Sequence, residues 1–206
     1  MARVIKANLE GLVVAAETVA KGGIICYPTD TLYGLGCDPF NTPAIMKTIA
    51  AKGKREKAMP VLVKGIDDAE RLAFFSENAR RLTDTYWPGP LTVVLRARDD
   101  IPTALSPERT VGVRSPRHAI CQQLLGLCSG YLVGTSANLT GKPPATSAEE
   151  IVNQIGDRVD IVLDGGRPPL GVASTVVDLT RDHLVILREG PISKADVLRC
   201  LRQKSR

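Results

Sequence analysis

An α/β layered fold around a largely buried sheet is the architecture this sequence predicts. Three features carry it. Strand-like apolar runs and helix-periodic segments interleave from one end of the chain to the other, several helix starts bear capping residues, and 206 residues with 44% hydrophobic content suffice for one shared core.

Leu12, Val13, Ala16, Val19 and Ala20 recur at helical spacing and run into Gly22-Gly23, which suits a helix end feeding a strand over 24–27. Asn41-Thr42-Pro43 reads as a cap with proline in the first turn, so a helix is expected over 43–51, with MPVLV (59–63) as the next buried strand. Helices over 67–73 and 76–86 follow, closed by Trp87-Pro88-Gly89-Pro90, and LTVVLRA (91–97) is a strand. RTVGVRSP (109–116) alternates as a strand, HAICQQLLGLC (118–128) as a helix, and YLVGTSAN (131–138) as a strand leaving the core at a polar corner. Ser147 with Glu150 has the form of a capping box for a helix to about Ile155. Strands VDIVLDGG (159–166), STVVDL (174–179) and LVILRE (184–189) and a last helix from Ser193 complete the chain. RTVGV and STVVDL are candidates to pair antiparallel, which would make the sheet mixed. No repeat, low-complexity tract or linker divides the sequence, so residues 1–206 are read as one domain with PERTV and GKPPATS as internal loops.

Lys and Arg total 27 against 22 acidic residues, a formal charge of +5 that favours anionic partners such as nucleotides or RNA. The cations are dispersed apart from KGKREK (52–57) and the tail LRCLRQKSR. Cysteines 26, 37, 121, 128 and 200 form no CxxC pair and are odd in number, which argues for a reducing cytoplasm over a disulfide framework. Glu10 and Glu17 interrupt the apolar N-terminal stretch, so it reads as neither signal peptide nor membrane span, and no membrane partner is expected. With only His118 and His183 and no paired thiols, the usual zinc ligand sets are not expected.

Phosphate-loop chemistry fails on spacing. In GTSANLTGKPP, Gly134 and Gly141 are too far apart and Pro143 stands where the metal-binding hydroxyl should follow Lys142. GLGCDP (34–39) lacks the third glycine of a dinucleotide fingerprint. GTSAN has Gly134 two before Ser136, as in a nucleophile elbow, but Asn138 replaces the closing glycine. Its base would have to be His118 or His183, each better read as a helix-start or strand-edge residue. What remains is a set of polar strand exits: PTDTLYG, TVGVRSP, GTSAN, LDGG, GVAST and LREGP. Any one alone is a satisfied turn; together, at the strand ends of an open α/β sheet, they can line one cleft.

In that order, and with the KGKR region and WPGPLTVVL between them, these motifs over residues 10–200 resemble the YrdC/YciO family of threonylcarbamoyl-AMP synthases in its short, single-domain form. The resemblance implies a YrdC-like twisted, open mixed sheet with helices packed on it and a concave basic cleft. It implies a nucleotidyltransferase that joins L-threonine, bicarbonate and ATP, with Mg2+, into threonylcarbamoyl-AMP and pyrophosphate. The product would serve threonylcarbamoyladenosine modification of tRNA through a downstream threonylcarbamoyl transferase machinery. Carried over by position, Thr31, Arg114, Gly134 and Ser174 would hold threonine, with the Arg114 fork suited to its carboxylate. Thr110, Ser136, Asn138 and Arg188 would hold ATP, and Lys54, Arg55 and Lys57 would meet its phosphates. Lys52, Lys54 and Arg55 are the catalytic candidates, with Lys52/Lys54 and Lys54/Arg55 both open as the family's Lys-x-Arg pair. Asp30 and Asp164 are candidate metal- or water-ordering carboxylates, with turn capping the commoner role, and Trp87 is read as a packing anchor. The rival is a YciO-like RNA- or nucleotide-binding protein without this activity, against which stands an aromatic content of 4%, low for a single-strand RNA surface.

Overall fold

The structure, a computed structural model, describes residues 1–53, 59–181 and 183–202. It begins with strand β1 (Arg3–Lys6) and helix α1 (Leu9–Ala20), capped by Asn8, whose side chain accepts from the Gly11 N–H at 2.9 Å. Strands β2 (Ile25–Tyr27) and β3 (Gly34–Gly36) flank the polar turn at 28–33. Helix α2 (Thr42–Lys52) starts at Asn41, which caps Ala44 N–H, and stops at Gly53 in the left-handed conformation (φ 80°). There follow β4 (Val61–Val63), α3 (Ile66–Leu72), α4 (Glu77–Tyr86), β5 (Leu91–Arg96), β6 (Thr110–Arg114), α5 (Ala119–Leu127), β7 (Tyr131–Val133), β8 (Thr135–Ser136) and α6 (Ala148–Ile155). The chain continues through β9 (Ile161–Asp164), β10 (Thr175–Asp178), β11 (Val185–Arg188) and α7 (Lys194–Arg202). At α6 the Ser147 hydroxyl accepts from Glu150 N–H at 3.2 Å, while the Glu150 carboxylate returns to Thr146 N–H at 2.7 Å, one residue earlier than in a standard capping box.

The architecture is mixed α/β, as expected, with the strands distributed over two sheets. One has the order β1-β9-β2-β3-β8, with β1, β9 and β2 parallel and β3 antiparallel to both its neighbours. The other has the order β11-β10-β5-β6-β4-β7. In it β10 and β5 are parallel, β6 and β4 are parallel, and the remaining pairings are antiparallel. The expected pairing of RTVGV with STVVDL does not occur, because β5 lies between them, antiparallel to one and parallel to the other. The strands at 3–6 and 34–36 have no counterpart in the sequence reading.

Period-two alternation divides the core into two layers. Cys26, Leu35 and Val162 of the first sheet and Val61, Val93, Val113 and Val133 of the second share one cluster with Ile45, Leu72, Leu82 and Ile151 from the helices. Ile25, Tyr27, Ile161 and Leu163 face the other way, against Leu12 and Val19 of α1 and Leu124 and Leu125 of α5. Each fully buried side chain of this size stabilises the fold by about 1.5–3 kcal/mol. Trp87 donates its indole N–H to Leu91 O at 2.8 Å and meets Phe75 edge-on, the contacts of a packing anchor.

The YLVGTSAN run is not one strand. It leaves the second sheet as β7 and enters the first as β8, with Gly134 as the crossing residue. At this joint Val133 N–H donates to Cys37 O at 2.9 Å and its carbonyl accepts from the Tyr27 hydroxyl at 2.6 Å. A Cβ at Gly36 would overlap that same carbonyl oxygen. Gly36→Ala is therefore expected to destabilise the protein by about 1–3 kcal/mol, the usual cost of overpacking against fixed backbone. Urea denaturation followed by circular dichroism measures it; an unchanged midpoint would show that the two sheets do not touch there in solution.

Candidate functional site

Strand direction gathers the polar exits at one edge of the second sheet. Val93 lies opposite Val113, and Val176 lies opposite both Thr92 and Arg188. The start of β5, the approach to β10 and the ends of β6 and β11 therefore share an edge, which carries Thr92, Ser174, Arg114 and Arg188. The exit of β2, from the first sheet, meets them there.

Arg114 is the centre of this meeting. Only 5% exposed, it donates from Nε to Gly89 O at 3.0 Å and from Nη1 to the Thr31 hydroxyl at 2.8 Å, and its Nη2 pairs with Asp30 Oδ1. Asp30 is 4% exposed, and its second oxygen, Oδ2, is buried without a hydrogen-bond partner among the described residues. Burial lowers the Arg114 pKa from its ordinary value and the Asp30 carboxylate opposes that shift. The turn holding Asp30 and Thr31 is itself rigid, because the Thr29 hydroxyl bonds Leu32 O at 2.6 Å and lies 3.1 Å from the Thr31 hydroxyl. Leu170 N–H donates to Asp30 O at 3.0 Å, and the Tyr33 hydroxyl donates to Gly166 O at 2.8 Å, so the segment after β9 folds against this turn.

Beside it, Ser174 and Thr92 hydroxyls lie 2.8 Å apart, and Arg188 grips Ser174 through Nε to its carbonyl (2.9 Å) and Nη2 to its hydroxyl (3.1 Å). Burial lowers the Arg188 pKa, and the Arg114 charge lowers it further. Two guanidiniums repelling each other at one edge, with one carboxylate between the sheets, make a place where an added anion is stabilised.

A second polar corner forms around Lys52, 2% exposed at the end of α2. Its ammonium donates to the carbonyls of Ser136 (2.8 Å) and Asn138 (3.3 Å), and Asn138 in turn donates from Nδ2 to Lys142 O at 2.6 Å. Lys52 thus shapes the SAN loop from beneath. Lys54, Arg55 and Lys57 lie outside the described residues. Gly134, the sheet-crossing residue, donates its N–H to Pro60 O at 2.8 Å, and a Cβ there would meet the Leu62 side chain.

The structure brings Thr31, Arg114, Ser174 and Arg188 to one edge and Lys52, Ser136 and Asn138 into one hydrogen-bonded corner. Thr110 it does not bring to Arg114. It starts β6, four residues or about 13 Å along the strand at ~3.3 Å per residue, and its carbonyl accepts from the Ser106 hydroxyl at 2.8 Å. Asp164 is exposed and caps Gly166 N–H at 3.2 Å, the turn role. The Asp30 side chain caps no turn N–H among the described residues; it is the counter-charge of Arg114. Its adjacency to Thr31 in one turn was the available signal. Thr92 and the Gly89 carbonyl were missed, since a strand threonine and a loop carbonyl carry no motif. His118 caps α5, its Nδ1 accepting from Cys121 N–H at 3.4 Å, and neither His118 nor His183 makes a hydrogen bond to Ser136.

Comparison with known proteins gives four consistent results. The family model Sua5_yciO_yrdC, described as "Telomere recombination", matches residues 17–190. The Threonylcarbamoyl-AMP synthase of Pyrococcus abyssi is 33% identical over 187 residues, 89% of this chain and 55% of that protein, so the chain spans about half of that relative. The Threonylcarbamoyl-AMP synthase of Idiomarina loihiensis is 38% identical over 160 residues, 73% of this chain and 83% of that protein. The crystal structure of P. abyssi Sua5 complexed with L-threonine superposes with a TM-score of 0.92 at 30% identity, covering 98% of this chain and 61% of that one.

The thiols test the packing around the site. Burial raises the Cys26 and Cys121 thiols far above their ordinary range, the Cys37 thiol to about 11 and the Cys128 thiol to about 12. At pH 8 the native protein should therefore react slowly with Ellman's reagent at all of these and promptly only at half-buried Cys200, with all five reacting in guanidinium. Rapid labelling of Cys26 or Cys121 in the native state would contradict the packing around β2 and α5.

Proposed function

This chain belongs to the Sua5/YciO/YrdC family, and from that premise we propose that it is a threonylcarbamoyl-AMP synthase. It joins L-threonine, bicarbonate and ATP into threonylcarbamoyl-AMP and pyrophosphate, a nucleotidyl transfer that supplies threonylcarbamoyladenosine modification of tRNA. The observation that carries the reading is Arg114, buried at the sheet edge, oriented by Thr31 and Gly89 and flanked by Ser174 and Arg188.

The reaction needs no protein nucleophile. Bicarbonate loses hydroxide to give carbon dioxide, the neutral threonine amine captures it as a carbamate, and the proton shed by that nitrogen leaves with the hydroxide as water; a carbamate oxygen then attacks the α-phosphorus, the new P–O bond forms, and the bond to pyrophosphate breaks. What the protein supplies is position and charge. Arg114 takes the threonine carboxylate through a paired contact, Thr31 and Ser174 offer hydroxyls beside it, and Gly134 offers main-chain groups. Arg188 faces the nucleotide phosphates across Ser174, and the SAN loop, held by Lys52, presents Ser136 and Asn138 to the nucleotide. Thr110 belongs to the nucleotide end of the cleft. Lys54, Arg55 and Lys57 are assigned the phosphate contacts by the resemblance, and Lys52, Lys54 and Arg55 are the candidates for the catalytic role, with Lys52/Lys54 and Lys54/Arg55 both open as the pair.

Among the described residues no three His, Cys, Asp or Glu side chains converge as a metal site. Magnesium accompanying ATP would supply neutralisation of phosphate charge when bound. A cytoplasmic location agrees with the five free thiols; no described helix is long and apolar enough to cross a membrane. The downstream partner is the transferase machinery that passes the threonylcarbamoyl group to tRNA.

Pyrophosphate release should require ATP, threonine and bicarbonate together, with threonylcarbamoyl-AMP identified by mass spectrometry. Release indifferent to threonine would overturn the reading. Arg188→Gln should remove a charge-assisted contact of roughly 1.5–3 kcal/mol and raise the KM for ATP by about 10- to 150-fold. An unchanged KM for ATP in steady-state kinetics would place Arg188 outside the nucleotide site.

A further inference from the structure

We propose that Thr92 is a positioning residue: acting through the Ser174 hydroxyl, it holds the Arg188 guanidinium in one arrangement, so that a nucleotide meets a cation already in place. This rests on the reading of Arg188 above and deepens it. The need arises from where Arg188 stands. It ends β11, the outermost strand of its sheet, and is exposed. A long side chain on an edge strand samples many rotamers unless something holds it, and a ligand that has to order it binds more weakly.

The backbone makes the first provision. Val177 lies opposite Ile186 but Val176 lies opposite Arg188, so Leu187 is an extra residue on β11, a bulge whose side chain is 57% exposed. Side chains alternate between faces along a strand. In unbroken pairing Leu187 would stand opposite Val176, and Arg188 would fall on the other face. The bulge turns Arg188 to the face of Val176, which by the parallel register of β10 and β5 is also the face of Thr92.

On that face three side chains join in series across three adjacent strands or their approaches. Thr92 Oγ1 lies 2.8 Å from Ser174 Oγ, Ser174 Oγ accepts from Arg188 Nη2 at 3.1 Å, and Arg188 Nε donates to Ser174 O at 2.9 Å. Thr92 and Ser174 are both buried, and the Thr92 hydroxyl has Ser174 Oγ as its one hydrogen-bond partner among the described residues. The fixed end of the series is Thr92, on a strand paired on both sides; the mobile end is Arg188. Without the Thr92 hydroxyl, the Ser174 side chain is free to turn away from Arg188, which then keeps only its bond to the Ser174 carbonyl.

Isothermal titration calorimetry with ATP, threonine being left out so that no turnover occurs, tests this on the full chain. Thr92→Val keeps the shape and deletes the hydroxyl; it should weaken ATP binding about three- to tenfold, the size of one neutral hydrogen bond. Thr92→Ser, which restores the hydroxyl, should bind within twofold of the unaltered protein. In Arg188→Gln, where the group being positioned is gone, adding Thr92→Val should change the affinity by less than twofold. A loss below threefold in Thr92→Val, a loss above twofold in Thr92→Ser, or a further loss above twofold on top of Arg188→Gln overturns the role of Thr92 while leaving the nucleotide site standing. Absence of ATP binding in the unaltered protein, or unchanged binding in Arg188→Gln, defeats the reading of Arg188 itself and this inference with it. Should Thr92→Val fail to fold, Ser174→Ala severs the same link and decides: ATP binding three- to tenfold weaker is expected, and a loss below threefold is the overturning result.

Discussion

Arg114 and Asp30 form a buried ion pair whose members come from the exits of strands in different sheets, and the polar edge depends on it. The charge of a guanidinium this deep in the protein is tolerable only with a counter-charge and hydrogen bonds around it. Asp30 arrives on the exit of β2, Arg114 on the last residue of β6, and Gly89 on the loop before β5, so three separate segments are set by the demands of one side chain. Removing one member of such a pair usually costs about 3–5 kcal/mol, because the other is left buried and charged. The polar edge is thus built into the stability of the fold instead of being laid over it.

The second joint is covalent. At Gly134 the chain passes from one sheet to the other, and the neighbouring Val133 peptide is held on both sides, by Cys37 and by the Tyr27 hydroxyl. Since β8 ends at Ser136 and β3 runs back to the Asp30 turn, the SAN loop and the Arg114 pocket are adjacent consequences of one crossing.

Much of this was legible in the residues. Caps at Asn41 and Ser147 and the period of residues 12–20 located helices because they depend on neighbours in sequence. Strands β1 and β3 were illegible for the converse reason: RVIK is short with mostly exposed side chains, and GLG has the composition of a turn, so only their partners β9, β2 and β8 make them strands. The same holds for the pairing of β6, since β5 and β10 offer similar apolar faces and the order of strands is a tertiary choice. The candidate site residues Arg114, Thr31, Ser174 and Arg188, named from motifs far apart in sequence, lie together at one sheet edge. Asp30 was visible as a residue but not as a partner, because an aspartate in a Thr-rich turn has a local explanation that needs no distant arginine.

The grip of Lys52 on the SAN loop differs in kind from the Arg114 pair. Its acceptors are the peptide oxygens of Ser136 and Asn138, groups that take up no proton in any ordinary buffer. The β2 exit is therefore tied to β6 by opposite charges and the SAN loop to α2 by an ammonium on main-chain oxygens, so a substitution that removes the Asp30 charge loosens the first tie and leaves the second in place.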